Sequence, residues 1–185
     1  MHEPYLNPEK LFGIMNAAIV DFNEKDAPSL LAPNDRGVAI HERTIVYRLA
    51  YYLERRIRQD NAPDTVSVDC EYNRFGSGTK YLREMEYYAD VIRRAERKLT
   101  NDGELSILPD LIVHERGEAG PNYLVVELKK DSNASEAALE LDRLKLECLT
   151  GRGRGFEYVL GIELRARDSE GSSRQLAVIR TWRPQ

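Results

Sequence analysis

The sequence has few of the residues that build disulfide scaffolds or zinc sites. It contains two cysteines, Cys70 and Cys148, and three histidines among 185 residues. Both cysteines lie in apolar-looking segments, so we expect no disulfide framework and a reducing, cytoplasmic environment. The sequence also lacks a Cys/His cluster with zinc spacing, a glycine-rich nucleotide loop and a Gly-x-Ser-x-Gly elbow. An unrelated metal-binding or small-molecule enzyme therefore has no motif to support it.

Long hydrophobic runs are absent as well. No apolar run reaches about 18 residues, so we expect no membrane span. Residues 1–10 lack a basic segment followed by an apolar stretch, so we expect no secretion signal. Apolar residues make up 42% of the chain and charged residues 31%, which is typical of a globular protein. The length fits a single domain over residues 1–185.

An excess of positive charge is also missing, since the formal net charge is −4. A protein that binds nucleic acid through its overall field would be basic, so the net charge counts against such a partner. Salt screens exposed charges beyond roughly 8 Å, which makes local clusters more informative than the total. Each basic cluster is either a phosphate-binding patch or a solvated helix face or loop. The clusters are Arg55, Arg56 and Arg58; Arg93, Arg94, Arg97 and Lys98; and Arg152 and Arg154.

Hydrophobic periodicity predicts the order of helices and strands. Apolar residues at steps of three and four predict a helix over Glu42–Gln59, and Glu42 lies on the same stripe, so its carboxylate should lean toward the core. We predict residues 1–35 to be an irregular N-terminal arm with one short helix, and residues 80–103 to be a helical insert. The short N-terminal helix is predicted over Glu9–Asn23, and the helix of the insert over Glu84–Leu99. The other predicted elements are strand Thr65–Arg74, strands Ser106–His114 and Asn122–Lys130, helix Ala134–Leu149 capped by Asn133, strand Phe156–Ala166 and edge strand Gln175–Trp182.

Charged residues stand at the end of an apolar strand. Alternation along Asn122–Lys130 places Glu127 and Lys129 on one face, about 6.7 Å apart. Charges in such a place are costly unless they are paired or bind a metal. The alternative is a surface hairpin in which Glu127 and Lys129 form a solvated pair, but the neighbouring Val125, Val126 and Leu128 argue against it.

Asp110 is a second charge embedded in an apolar strand. Neighbouring strands lie about 4.8 Å apart, so Asp110 and Glu127 can share one divalent cation if the register places them side by side. Two carboxylates, a backbone carbonyl and a phosphate oxygen suit Mg²⁺. Lys129 would then polarise an attacking water or neutralise the transition state of phosphodiester hydrolysis.

Pro109-Asp110, a gap of sixteen residues and then Glu127-Leu128-Lys129 resemble the PD-(D/E)xK, or restriction-endonuclease-like, nuclease superfamily. The resemblance spans residues 42–166 and extends to small stand-alone bacterial members. It implies an α/β fold, with a mixed central β-sheet flanked by helices around an αβββαβ core. It implies that Asp110, Glu127 and the backbone carbonyl of Leu128 hold Mg²⁺, with Mn²⁺ as a substitute, and that Lys129 assists catalysis. In many members a glutamate of the first core helix completes the metal site, and Glu42 matches it by position.

The resemblance also implies a metal-dependent nuclease that acts on nucleic acid, with DNA favoured over RNA. Many such enzymes cut duplexes as homodimers, although no interface stands out in this sequence. The alternative function is a catalytically silent module of the same fold that binds nucleic acid or protein. The net charge of −4 favours the silent module, whereas the intact Asp110, Glu127 and Lys129 favour the nuclease.

Five further residues are secondary candidates, each with a simpler structural explanation. Glu71 would supplement Glu42 at the metal, or be an exposed strand carboxylate. His114 would touch substrate or water, or be a packed histidine at a strand end. Lys145 would reach a phosphate, or lie on a solvated helix face. Arg152 and Arg154 would contact nucleic acid, or only solubilise the loop after the helix.

Overall fold

The structure, a computed structural model, describes residues 6–32, 40–72, 74–75, 78–83, 85–116, 120–152, 156–168 and 173–184. Among these residues, no helix is long and apolar enough to cross a membrane. Two 3₁₀ turns, Met85–Tyr88 and Asp131–Asn133, accompany the regular elements. The helices are α1 (Pro8–Lys25), α2 (Ala27–Leu30), α3 (Glu42–Gln59), α4 (Ala89–Arg94) and α5 (Glu136–Thr150). The strands are β1 (Val66–Cys70), β2 (Arg74–Phe75), β3 (Gly78–Thr79), β4 (Tyr81–Leu82), β5 (Leu105–Ser106), β6 (Leu111–Glu115), β7 (Asn122–Lys130), β8 (Leu160–Arg167) and β9 (Gln175–Trp182).

A mixed five-stranded sheet forms the centre of the α/β fold, in the order β1-β6-β7-β8-β9. Strand β6 runs antiparallel to both of its neighbours, β1 and β7, and β8 runs antiparallel to β9. Strands β7 and β8 are parallel, and helix α5 makes the crossover between them. The predicted mixed sheet flanked by helices is therefore confirmed, and β9 lies at its edge as predicted.

Helices cover both faces of the sheet, and side-chain alternation assigns each residue to one of them. Leu111 and Val113 join a core with α1 and α3, whereas Ile112 joins a second core with α5. On β7, Val126 belongs to the first core and Val125 to the second. By the same alternation, Asp110, Glu127 and Lys129 lie on the face of the sheet that α5 covers.

Three predicted elements have the observed bounds, namely Glu42–Gln59, Asn122–Lys130 and Gln175–Trp182. The predicted strand Thr65–Arg74 is shorter and ends at Cys70, after which Glu71 adopts a left-handed φ of 49°. The predicted strand Ser106–His114 is divided into β5 and β6, since β5 leaves the main sheet to pair with β4. Strand β8 begins at Leu160, four residues later than predicted.

The cap of α5 differs from the prediction. The N-cap is Ser135, whose hydroxyl accepts a hydrogen bond from the backbone N–H of Ala138 at 3.2 Å. Asn133, the predicted cap, lies in the 3₁₀ turn before it. Both residue types cap helices well, so composition alone did not distinguish them.

The N-terminal segment is not an irregular arm over its described residues. Helix α1 starts with Asn7 as cap and Pro8 in its first turn, and it extends two residues beyond the predicted end at Asn23. Its buried side chains, among them Leu11, Met15 and Phe22, belong to the core shared with α3. The insert is likewise not a single helix, because only Met85–Tyr88 and Ala89–Arg94 are helical and β4 pairs with β5.

One buried carboxylate ties α1 to α3. Asp21 accepts hydrogen bonds from Arg56 and from Lys25, both at 2.7 Å. The bond from Arg56, followed by that from Lys25, lowers the pKa of Asp21 from 3.8 to about 2. A lowered pKa means that the folded state favours the ionised form, so this stabilisation is present above about pH 3.8 and is lost as the pH falls through about 2.

We expect Asp21→Asn to lower the free energy of unfolding by about 1–2 kcal/mol at neutral pH, because both partner cations are partly exposed and solvent screens them. The difference from the unmodified protein should shrink as the pH falls from about 4 to about 2. Urea denaturation across that range measures it. A deficit that stays constant with pH would show that the charge of Asp21 is not what stabilises the contact between α1 and α3.

Candidate active site

Asp110 and Glu127 lie side by side at one end of the sheet. Strands β6 and β7 are antiparallel with Leu111 opposite Val126, so Asp110, which directly precedes β6, comes beside Glu127 of β7. Asp110 Oδ2 accepts a hydrogen bond from the backbone N–H of Leu128 at 2.8 Å. The register that a shared cation requires is therefore present.

Glu127 is the most deeply buried member of the group. The residue is 2% exposed, and its Oε2 accepts a hydrogen bond from Lys145 Nζ at 3.0 Å. Its Oε1 is buried and makes no hydrogen bond with any described residue. Burial raises the pKa of Glu127 well above its ordinary value, although Lys145 opposes this effect. A buried carboxylate oxygen without a donor is costly, and a function that needs it would explain why it is there.

Glu42 reaches the end of β7 from the first turn of α3. Its Oε1 accepts a hydrogen bond from Lys129 Nζ at 3.2 Å, and its Oε2 accepts one from the backbone N–H of Lys130 at 3.1 Å. His41 caps the helix by accepting a hydrogen bond from Arg43 N, which fixes where the helix begins. The predicted inward lean of Glu42 thus brings it into contact with Lys129.

Lys129 lies among the carboxylates. Its Nζ is 3.4 Å from the backbone carbonyl oxygen of Leu128 and 3.4 Å from Asp142 Oδ2. Burial lowers the pKa of Lys129, but Asp142, Asp110 and Glu42 raise it by more, so the net pKa is raised. The side chain therefore stays a cation, and the Leu128 carbonyl, a predicted metal ligand, has an ammonium beside it.

Helix α5 contributes two charged residues that the strand motif does not include. Asp142 is 5% exposed, and its Oδ1 lies 2.6 Å from Lys145 Nζ. Lys145 does not lie on a solvated helix face, because its side chain is only 12% exposed and it pairs with Glu127. The sequence does contain a signal for Asp142. Leu139, Leu146 and Leu149 form an apolar stripe at helical spacing, and Asp142 occupies the remaining position of that stripe.

The charges of this cluster do not balance. We call the six residues the carboxylate cluster: Asp110, Glu127, Asp142 and Glu42, with Lys129 and Lys145. Four carboxylates against two ammonium groups leave a formal charge of −2 when all are ionised. Within the described part of the chain, no three His, Cys, Asp or Glu side chains are grouped so as to hold a metal ion as they stand. The ammonium groups lie between the carboxylates instead.

A cavity of about 400 Å³ opens beside the cluster. Asp110, Glu42 and Glu71 line it, together with residues of the first turns of α3. Glu71 forms an ion pair with Arg43 at this cavity. It therefore lies near the cluster but makes no hydrogen bond with the cluster's residues. A second cavity of about 500 Å³ continues along α3 and β1 and shares Tyr47 and Cys70 with the first. The two cavities make a groove that leads to Asp110.

The remaining candidates lie elsewhere or outside the described residues. His114 is 5% exposed, its Nε2 is 2.8 Å from Asp69 Oδ2, and its ring packs on Tyr72 with centroids 4.8 Å apart. Burial lowers its pKa, and none of the charges that act on it belongs to the cluster. Arg152 is exposed and makes no contact with the cluster in the described structure, and Arg154 lies outside the described residues.

Comparison with known proteins adds no family assignment. No protein-family model matches the chain, and no curated protein matches it significantly. We therefore infer the function from the geometry of the site.

We expect Asp110→Asn to raise the free energy of unfolding in EDTA. Burial raises the pKa of Asp110 above 3.8, so the folded state disfavours the ionised form. The contribution of this group to stability is therefore greatest below about pH 3.8 and is lost as the pH rises through the folded-state pKa. The asparagine keeps an acceptor for Leu128 N–H, and the gain at neutral pH should be about 1 kcal/mol, disappearing in acid.

Urea denaturation at several pH values measures this gain. Asp21→Asn is the matched control, because its pKa shift has the opposite sign and its effect should be a loss of stability. A loss for Asp110→Asn as large as that for Asp21→Asn would contradict the conclusion that ionised Asp110 is a cost to the fold.

Proposed function

We propose that the protein is a Mg²⁺-dependent nuclease that hydrolyses phosphodiester bonds of nucleic acid, with DNA the favoured substrate. The observation that carries the proposal is the position of Asp110 beside Glu127 at the ends of adjacent strands, with Lys129 nearby and a cavity that Asp110 and Glu42 line. Paired carboxylates beside a fixed cation are the parts that metal-assisted phosphodiester hydrolysis requires.

The order of elements supports a restriction-endonuclease-like core. Helix α3, strands β1, β6 and β7, helix α5 and strand β8 follow one another as α, β, β, β, α, β. Strands β2–β5 and the short helix α4 form an insertion between β1 and β6, and α1 and α2 precede the core. On this proposal the chain is a member of the PD-(D/E)xK superfamily.

The chemistry of the donors fits a divalent metal ion. Carboxylate and carbonyl oxygens are the ligands that Mg²⁺ prefers, and Asp110, Glu127, Glu42 and the Leu128 carbonyl would hold it. The unpartnered Glu127 Oε1 offers a free oxygen, and one divalent ion would cancel the −2 charge of the cluster. A bound ion would supply Lewis-acid activation of the phosphodiester and neutralise developing charge.

Lys129 supplies a fixed positive charge to the same place. Its raised pKa keeps it protonated, and Glu42 and Asp142 hold its Nζ at the end of β7. An ammonium fixed before the reaction starts stabilises the negative charge that develops on the phosphoryl oxygens without reorganisation.

The groove along α3 and β1 offers a path for the substrate strand. Tyr47 and Tyr51 line it, one helical turn apart, and are 68% and 47% exposed. Arg58 and Arg116 line the same groove, where they pair with Glu54 and Asp69 and would meet a phosphate backbone. Exposed aromatic rings bind unpaired bases by stacking, so the groove suits a single strand that leads to Asp110.

We expect EDTA-sensitive cleavage of DNA in the presence of Mg²⁺ or Mn²⁺. Asp110→Ala should abolish it, and Lys129→Ala should reduce the rate by about 10²- to 10³-fold because a preorganised cation is lost. Gel assays on plasmid, single-stranded DNA and RNA measure the rates. The matched control is Glu163→Gln, since Glu163 is a buried glutamate opposite Glu127 on β8 that pairs with Arg143 and Arg165.

Cleavage that survives Asp110→Ala would belong to a contaminant or to another site. Binding of nucleic acid without cleavage under every metal condition would instead identify the silent binding module. Equal loss of activity in Glu163→Gln would show that the sheet tolerates no buried change, and the roles of Asp110 and Lys129 would then lack support.

We expect Tyr47→Ala with Tyr51→Ala to weaken binding of a single-stranded oligonucleotide by at least about fivefold, because stacking contributes about 1–3 kcal/mol per base. Fluorescence anisotropy in EDTA measures binding without cleavage. Tyr87→Ala is the control, since Tyr87 is 95% exposed and does not line the groove. Equal affinities of all variants would exclude the groove as the path of the strand.

A further inference from the structure

Helix α5 places an aspartate and a lysine against Glu127. Asp142 and Lys145 are three residues apart, so they lie on the same face of the helix. The adjacent Leu141, Leu144 and Leu146 are buried in the core that α5 shares with the sheet, which fixes the helix in place. Neither residue belongs to the Asp110, Glu127 and Lys129 motif.

Lys145 lies between two carboxylates. Its Nζ is 3.0 Å from Glu127 Oε2 and 2.6 Å from Asp142 Oδ1. Burial lowers its pKa, but Glu127 and Asp142 raise it by more, so the ammonium is retained. The structure thus already holds one cation between Glu127 and Asp142.

Two oxygens of the same carboxylates have no hydrogen-bond donor. Glu127 Oε1 and Asp142 Oδ2 are buried and make no hydrogen bond with the described residues, and their side chains are 1% and 7% exposed. Asp142 Oδ2 lies 3.4 Å from Lys129 Nζ without hydrogen-bond geometry. Buried carboxylate oxygens in this state suit a metal ion better than they suit a closed ion-pair network.

We propose that Lys145 occupies the position of the divalent cation in the metal-free protein, and that Asp142 is a further ligand of that cation once Lys145 has moved aside. The inference rests on the proposed metal-dependent function. It explains why no three carboxylates are grouped to hold an ion as they stand, since the Lys145 ammonium lies between two of them.

The charge of the cluster fits such an exchange. The charges of four carboxylates, two lysine ammonium groups and one divalent ion sum to zero, so both lysines can stay near the site. Lys145 therefore does not have to lose its proton, because its long side chain has only to move its Nζ from between Glu127 and Asp142. In the metal-free state the same ammonium keeps the two carboxylates together at a lower energetic cost.

Calorimetry of Mn²⁺ binding tests the proposal. The full chain is first freed of metal by EDTA and dialysis. Lys145→Met keeps most of the aliphatic stem and removes the competing charge, so we expect at least about tenfold tighter Mn²⁺ binding. Asp142→Asn removes a ligand but leaves Lys145 paired with Glu127, so we expect at least about tenfold weaker binding. Glu163→Gln, a buried carboxylate outside the cluster, should bind Mn²⁺ like the unmodified protein.

The outcomes separate this inference from the proposed function. Unchanged or weaker Mn²⁺ binding by Lys145→Met, with clear binding by the unmodified protein, overturns the exchange and leaves the nuclease proposal intact. Absence of Mn²⁺ binding in every variant overturns both. If Lys145→Met does not fold, Asp142→Asn decides, because unaltered affinity in that variant excludes Asp142 as a ligand.

Discussion

The antiparallel pairing of β6 with β7 is the constraint on which the candidate site depends. Its register sets Asp110 beside Glu127, and the backbone N–H of Leu128 holds the Asp110 carboxylate in place. The first turn of α3 and the middle of α5 then close on this end of the sheet and add Glu42 and Asp142. Because the backbone hydrogen bonds of a central sheet fix this register, the positions of the carboxylates follow from the fold.

The cluster differs from the other buried charges of the protein in its balance. Asp21 has two cations, Glu163 has two arginines, and Asp168 is paired with the buried Lys130. At each of these places positive charge meets or exceeds negative charge. At the candidate site the carboxylates outnumber the lysines, and burial raises the pKa values of Asp110 and Glu127. The fold thus tolerates at this one end of the sheet a repulsion that a divalent cation would relieve.

The sequence predicted the elements with strong periodicity and missed those set by tertiary contacts. Helix α3 and strand β7 have the predicted bounds because apolar residues recur at helical spacing along α3 and form a nearly continuous run along β7. The N-terminal helix was underestimated because its packing partners on α3 and β9 are distant in the sequence. Strand β5 pairs with β4, and no local sequence pattern predicts this pairing.

The site shows the same limit. Alternation along β7 was sufficient to place Glu127 and Lys129 on one face, and the helical stripe placed Glu42 near them. The roles of Asp142 and Lys145 depended on the docking of α5, and the sequence made Lys145 look like a solvated residue. Strand alternation places His114 on the same face as Asp110, but the structure buries it against Asp69 and Tyr72.

The most direct test of a metal-dependent site is a crystal structure of the protein soaked in Mn²⁺, with anomalous scattering used to locate the ion. We expect one strong peak within coordination distance, about 2.0–2.3 Å, of carboxylate oxygens of both Asp110 and Glu127. A peak elsewhere, or well-ordered crystals without a peak in which Lys145 still lies between Glu127 and Asp142, would contradict it.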